Sequence, residues 1–192
     1  MKTEFEATFC NIDKEAVQKA LKEIDAVRLS PEFLQKRVVF DLPKGHEIPG
    51  GWLRVRQEAN GATMSLKAVT GDKITDQRET QLRVDDFDTA VEFLKEIGAK
   101  QKSYQENKRE RWTLDGVEVT IDEWPFLEPF VEVEGRSEKV VRDAAQKLGF
   151  NYADAKFCAV GTQYAEKYNL PDIFINKNVP KIVFGMENPF LS

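Results

Sequence analysis

Histidine and cysteine are almost missing from this sequence. His46 is the sole histidine and Cys10 and Cys158 are the only cysteines among 192 residues. Histidine-based acid–base or triad chemistry is therefore disfavoured, no disulfide framework is available, and no cysteine spacing suits a metal. His46 sits in the Pro/Gly-rich stretch from Pro43 to Gly51 and reads as a loop residue. No apolar run approaches the roughly 20 residues of a membrane span, and Met1-Lys2-Thr3-Glu4 has no signal-peptide character. A cytoplasmic protein with no membrane partner is expected. Excess positive charge is absent too: a net charge of −5 and a pI near 5.2 argue against broad capture of nucleic acid. What is present is a globular composition, 41% hydrophobic and 32% charged, of a length that suits one domain with a real core.

Alternation organises the chain. In a strand, successive side chains face opposite ways. Phe130-Val131-Glu132-Val133-Glu134 thus sets Glu132 and Glu134 on one face and two valines on the other. Thr3 to Phe9 repeats the device, with Glu4, Glu6 and Thr8 opposite Phe5, Ala7 and Phe9. Further strands are expected over 33–41, 51–58, 63–69, 75–84, 103–114 and 117–124, with Ser30-Pro31 interrupting before the first of these. Asn60-Gly61 and Asp115-Gly116 supply hairpin turns. Amphipathic helices are expected after Asp13, after Asp86 up to Gly98, from Ser137 to Leu148, and around 162–168. Residues 1–168 read as one domain and the Pro- and Asn-rich residues 169–192 as a strap laid over it.

Each helix has one apolar stripe and needs an apolar surface to cover. Only the aliphatic strand faces can supply it, which leaves the charged faces to surround one another. Those faces carry Arg54, Arg56, Lys67, Glu79, Arg109, Arg111, Asp122, Glu132 and Glu134. An open sheet with a wet polar face satisfies the alternation equally well. The other solution is an α+β fold: a closed eight-stranded antiparallel barrel, helices outside and a polar lumen within. Converging arginines and a lysine suit a polyanion, because guanidinium forks match phosphate oxygens. Carboxylates in the same channel would repel that ligand unless divalent cations bridged them, and oxygen ligands suit Mg2+ or Mn2+.

The motifs, in order, are Glu4-x-Glu6, Phe40-Asp41, Leu53-Arg54-Val55-Arg56, Leu66-Lys67, Arg78-Glu79, Arg109 before Trp112, Asp122-Glu123 and Phe130-Val131-Glu132-Val133-Glu134. This series resembles the CYTH superfamily of triphosphate tunnel metalloenzymes, from Glu4 to about Tyr168. The resemblance implies a metal-dependent enzyme with a small triphosphate as substrate. Arg54, Arg56, Lys67, Arg109 and Arg111 would hold phosphates, and Glu79 would position one of those cations. Glu4 and Glu6 would serve the ion or the attacking water together with Arg54 and Lys67. Glu6, Asp122, Glu132 and Glu134 would bind the ion. Trp52, on the lumen parity of Arg54, would stack on a heterocycle or close the barrel rim. Thr8 stands where the family signature has lysine, and Asn107 where a lysine is common; each removes positive charge from the tunnel. Three activities fit: triphosphate hydrolysis, cyclic AMP synthesis from ATP, and non-catalytic binding of nucleotide or polyphosphate. A homodimer is left open.

Overall fold

The computed structural model describes residues 1–171, 175 and 178–191. In chain order the elements are β1 (Lys2–Thr3), β2 (Phe5–Phe9), α1 (Lys14–Glu23), β3 (Val27–Asp41), β4 (Gly51–Glu58), β5 (Gly61–Val69) and β6 (Gln77–Val84). Then come α2 (Phe87–Glu96), β7 (Lys100–Leu114), β8 (Val117–Glu123), β9 (Phe130–Gly135), α3 (Glu138–Lys147), α4 (Val160–Tyr168) and β10 (Lys181–Ile182). Along the sheet the strands run β1-β6-β5-β4-β3-β7-β8-β9-β2, all neighbours antiparallel, with β10 added parallel to β7.

Both ends of that order belong to one stretch of chain, and this closes the barrel. The single first strand expected from the sequence is broken at Glu4: β1 pairs with β6, and β2 with β9. Glu4 N donates to Gln77 O at 3.0 Å, and the Gln77 side chain donates to Glu6 O at 2.8 Å, so the seam stays stitched past the break. Further along, β2 and β6 diverge and Lys156 fills the gap. Thr8 N donates to Lys156 O and Lys156 N to Thr8 O, both at 2.9 Å. The open-sheet alternative is thereby excluded.

Ser30-Pro31 does not interrupt β3. The strand runs through it with register shifts at Arg28/Ser30 and Ser30/Phe33, and only Arg37–Phe40 pair with β4. A proline without a ladder donor is tolerated where one edge is unpaired and the strand bulges.

The helices pack outside, on the aliphatic faces. Val17 and Leu21 of α1 and Val141, Ala144 and Ala145 of α3 meet Ala7, Phe9, Val119, Val131 and Val133. Ala90 and Leu94 of α2 cover Val38, Phe40 and Val55. Each fully buried leucine or valine contributes about 1.5–3 kcal/mol relative to exposure. The helix starts are set by Asp13, Asp86 and Ser137, whose side chains accept from Ala16 N, Thr89 N and Val140 N. A third cluster joins Trp124 and Phe130 of the barrel with Tyr164 of α4 and Ile175, Val179, Ile182 and Phe190. Trp124 and Phe130 have lumen parity, so this cluster plugs one end of the barrel.

Candidate active site

Inside the barrel lies a cavity of about 1100 Å³. Strand alternation aims Trp52, Arg54, Arg56, Lys67, Glu79, Arg109, Arg111, Glu132 and Glu134 into it, and the break at Glu4 brings in Glu4 and Glu6. Asp122, with no exposure, lies just behind the wall against Arg109. All the residues singled out from sequence for the site are thus brought together. Exposed His46 stays outside, in the loop between β3 and β4.

The cations are held by carboxylates. Lys67 pairs with Glu4 at 2.7 Å and Arg54 with Glu79 at 3.0 Å. Arg56 pairs with Glu58 at 2.5 Å, and Arg111 meets Glu118 through two bonds of 3.1 and 2.6 Å. Arg109 donates to Asp122 at 2.9 Å and to Glu132 at 2.6 Å. Burial would raise the Glu79 carboxyl, but Lys67 and Arg54 outweigh it and hold it at about 2. Burial opposes the charge on Arg109 as well, and Asp122 and Glu132 more than offset it, so its pKa lies well above the usual arginine value.

The carboxylates divide into two groups. Asp122 is fully engaged: Arg109 and Asn107 donate to one oxygen, the latter at 2.7 Å, and Thr120 donates to the other at 2.9 Å. Glu132 is neutralised by Arg109, and despite burial its pKa is lowered, Arg109 being the main cause. Glu4, Glu6 and Glu134 form the second group, each with one oxygen within 4.8 Å of the others. Burial and then Glu132 push Glu6 well above the usual carboxylate range, and burial raises Glu4 against the pull of Lys67. Desolvation by the wall and the nearby Glu4 push Glu134 up to about 7, a shift that cavity water moderates because this side chain is exposed to the lumen. Three crowded carboxyls that resist ionising together form a hard oxygen donor set, and a divalent cation fits it. The sequence grouping placed Asp122 and Glu132 beside Glu6 and Glu134 as metal ligands. The geometry instead sets those two on Arg109 and brings Glu4 into the cluster.

Arg37 and Glu58 also line the cavity with no site role expected from sequence, and so does Lys156, which with Lys2 and Lys108 is a candidate to replace the charge missing at Thr8 and Asn107. Arg37 was legible by the same alternation, since Val38 and Phe40 face outward on the helix side. Its signal was masked because Phe33 and Val39 share its own face. Lys156 has no sequence signal: only the closing of the seam brings it to Thr8, and its amine pairs with Glu166.

A family model described as CYTH domain matches residues 39–156. A Methanocaldococcus jannaschii protein named a probable porphobilinogen deaminase is 36% identical over 101 residues, which is 50% of this chain and 34% of that protein. The chain therefore spans about a third of that curated relative. Among solved structures, a candidate adenylate cyclase from Vibrio parahaemolyticus superposes with a TM-score of 0.69 at 16% identity, covering 82% of this chain and 95% of that one. A candidate adenylyl cyclase from Hippeastrum, described as having a dominant triphosphatase activity, superposes with a TM-score of 0.57 at 13% identity, covering 88% and 97%. At such identities the likeness is one of fold.

Proposed function

Because the chain belongs to the CYTH domain family, we propose that it is a divalent-metal-dependent phosphohydrolase acting on a small triphosphate held in the lumen. One observation carries the reading: a cavity of about 1100 Å³ inside the barrel has arginines and a lysine facing a three-carboxylate cluster. Membership in a family with triphosphate substrates and the triphosphatase activity described for the Hippeastrum protein support it.

Arg54, Arg56, Lys67 and Arg109 bind phosphoryl oxygens, and Arg111 extends the basic wall. Glu79 and Glu58 keep Arg54 and Arg56 in position. Asp122 and Glu132 fix the Arg109 fork. Glu4, Glu6 and Glu134 would hold a magnesium or manganese ion, which when bound neutralises phosphoryl charge and lowers the pKa of water. Water attacks the terminal phosphorus as the bond to the bridging oxygen breaks, orthophosphate and the remaining diphosphate portion separate, and the same carboxylate cluster is at hand to accept the water's proton. Trp52, at the cavity wall, stacks on a base when the substrate is a nucleotide. Residues 1–168 form the tunnel, and the described residues Ile175, Val179, Ile182 and Phe190 belong to a strap laid over it. No helix among the described residues is long and apolar enough to cross a membrane. Cys10 and Cys158 are free thiols, in keeping with a reducing cytoplasm.

A panel assay tests the function. Tripolyphosphate, thiamine triphosphate and ATP are each supplied with magnesium or manganese, and phosphate, pyrophosphate and cyclic AMP release are measured. Phosphate release from at least one substrate is expected. Cyclic AMP with pyrophosphate from ATP would replace hydrolysis with cyclase chemistry in the same lumen, and no turnover of any substrate would leave a binding protein.

A further inference from the structure

We propose that Arg37, oriented by Asn107 and stacked on Trp124, forms an oxyanion subsite at the plugged end of the cavity that takes a phosphoryl group. The proposal rests on the triphosphate reading above and names a residue that reading does not use.

Among the described residues, four cations are buried: Arg37, Arg54, Lys67 and Arg109. The last three each meet a carboxylate within 3.0 Å. Arg37 has no such partner. It donates through Nη2 to Asn107 Oδ1 at 3.1 Å, and its guanidinium lies 4.2 Å from the centre of the Trp124 ring. Its Nε is buried with no acceptor, and so is the Trp124 indole nitrogen. Both residues line the cavity.

The surroundings make this arrangement costly unless an acceptor arrives. Strand register sets Arg37 directly opposite Arg56, and like charges facing across a ladder destabilise it. Burial, followed by Arg54, Arg56 and Arg109, pushes the Arg37 pKa well below the usual arginine value. Buried donors are otherwise almost always satisfied. A ligand oxyanion would meet the orphan N–H, balance the facing cations, and match the guanidinium fork. Asn107 is not that acceptor: its neutral oxygen meets Arg37 at Nη2 and leaves Nε unpartnered, and its amide donates to Asp122. It serves as a positioning residue, tying Arg37 into the Asp122–Arg109 network. The charge absent at Asn107 therefore re-enters the lumen from the facing strand β3, where Gln35 and Asn107 are register partners.

The ligand chemistry is a phosphate oxyanion, from either the end of a triphosphate or free orthophosphate. Calorimetric titration, with magnesium present throughout, of wild type, Arg37→Met and Arg37→Lys with tripolyphosphate and, separately, orthophosphate distinguishes the two. Thermal melts of the apo proteins accompany it. Arg37→Met should weaken tripolyphosphate by roughly 10- to 100-fold, the worth of one charge-assisted fork. It should leave the apo Tm unchanged or higher, because a charge facing Arg56 is gone; a merely structural arginine would lower it. Orthophosphate binding that also depends on Arg37 marks the subsite as one for free phosphate too. Should Arg37→Met not fold, Arg37→Lys, which keeps charge but loses the fork, should still weaken tripolyphosphate several-fold. Wild-type affinity in both variants overturns the subsite and leaves the triphosphate reading standing. If wild type binds no tripolyphosphate, that reading falls, and Arg37-dependent orthophosphate binding alone decides the subsite.

Discussion

Removing Arg109 should be the most damaging single change in the lumen, and the damage should depend on pH in a definite direction. Arg109 donates to Asp122, which has no exposure, and to Glu132, whose side chain is 18% exposed. Arg109→Met deletes the cation and leaves Asp122 buried with only Asn107 and Thr120 as neutral donors. Breaking one side of a buried pair costs about 3–5 kcal/mol. Because two donors remain and Glu132 reaches cavity water, about 3 kcal/mol is expected. That is a large share of a total stability of about 5–15 kcal/mol. Burial already raises the Asp122 carboxyl above its unfolded value near 3.8, with Arg109 opposing. In the variant that opposition is gone, so the folded pKa rises further. A raised carboxyl gives stability that is full below the unfolded value and lost as pH rises through the folded one. The deficit relative to wild type should therefore be largest near pH 8 and shrink toward pH 5. Urea melts followed by circular dichroism across that range measure it, and Arg109→Met/Asp122→Asn should recover much of the loss. A deficit below about 1 kcal/mol, or one that does not change with pH, would refute the reasoning.

Three further outcomes are expected. Glu134 sits at about 7 in the folded protein, so the apo protein should lose stability as pH rises from about 4.5 to about 7; Glu134→Gln should flatten that part of the profile, and an unchanged slope in paired melts counts against the crowding. Lys156 is bridged to Thr8, where the family signature has lysine, so Lys156→Met should slow turnover roughly 10-fold or more and Thr8→Lys should restore it in that background; equal kcat in wild type and Lys156→Met would show that Lys156 does not substitute for that lysine. Gly50 has φ +63° and an added Cβ would lie 1.9 Å from Val69 O, so Gly50→Ala should cost more than about 2 kcal/mol and displace the start of β4 beneath Trp52, which denaturant melts and tryptophan emission would report.

The barrel was readable because its helices have single apolar stripes. Val17 and Leu21 needed a surface, Val131 and Val133 offered one, and alternation then forced Glu132 and Glu134 inward. Arg54, Arg56, Lys67 and Arg109 followed by the same parity. What alternation cannot give is partnership. Parity puts Glu132 and Glu134 side by side, yet Arg109 neutralises Glu132 and the crowding falls on Glu4, Glu6 and Glu134. That shift depends on the break at Glu4 and on the stagger between β2 and β9, neither of which has a residue-type signature. The meeting of Thr8 and Lys156, 148 positions apart, is a product of barrel closure alone. Pro31 misled for a physical reason too, since an unpaired strand edge accepts a proline that a central strand would not.

The most direct test of the lumen as a metal-assisted triphosphate site is calorimetric titration of tripolyphosphate into the protein with and without magnesium. Saturable one-to-one binding is expected that needs the metal, that Arg54→Gln/Lys67→Gln abolishes, and that in Glu6→Gln/Glu134→Gln no longer responds to magnesium. No binding by wild type with magnesium present, or equally tight binding without it and in Glu6→Gln/Glu134→Gln, would contradict the account.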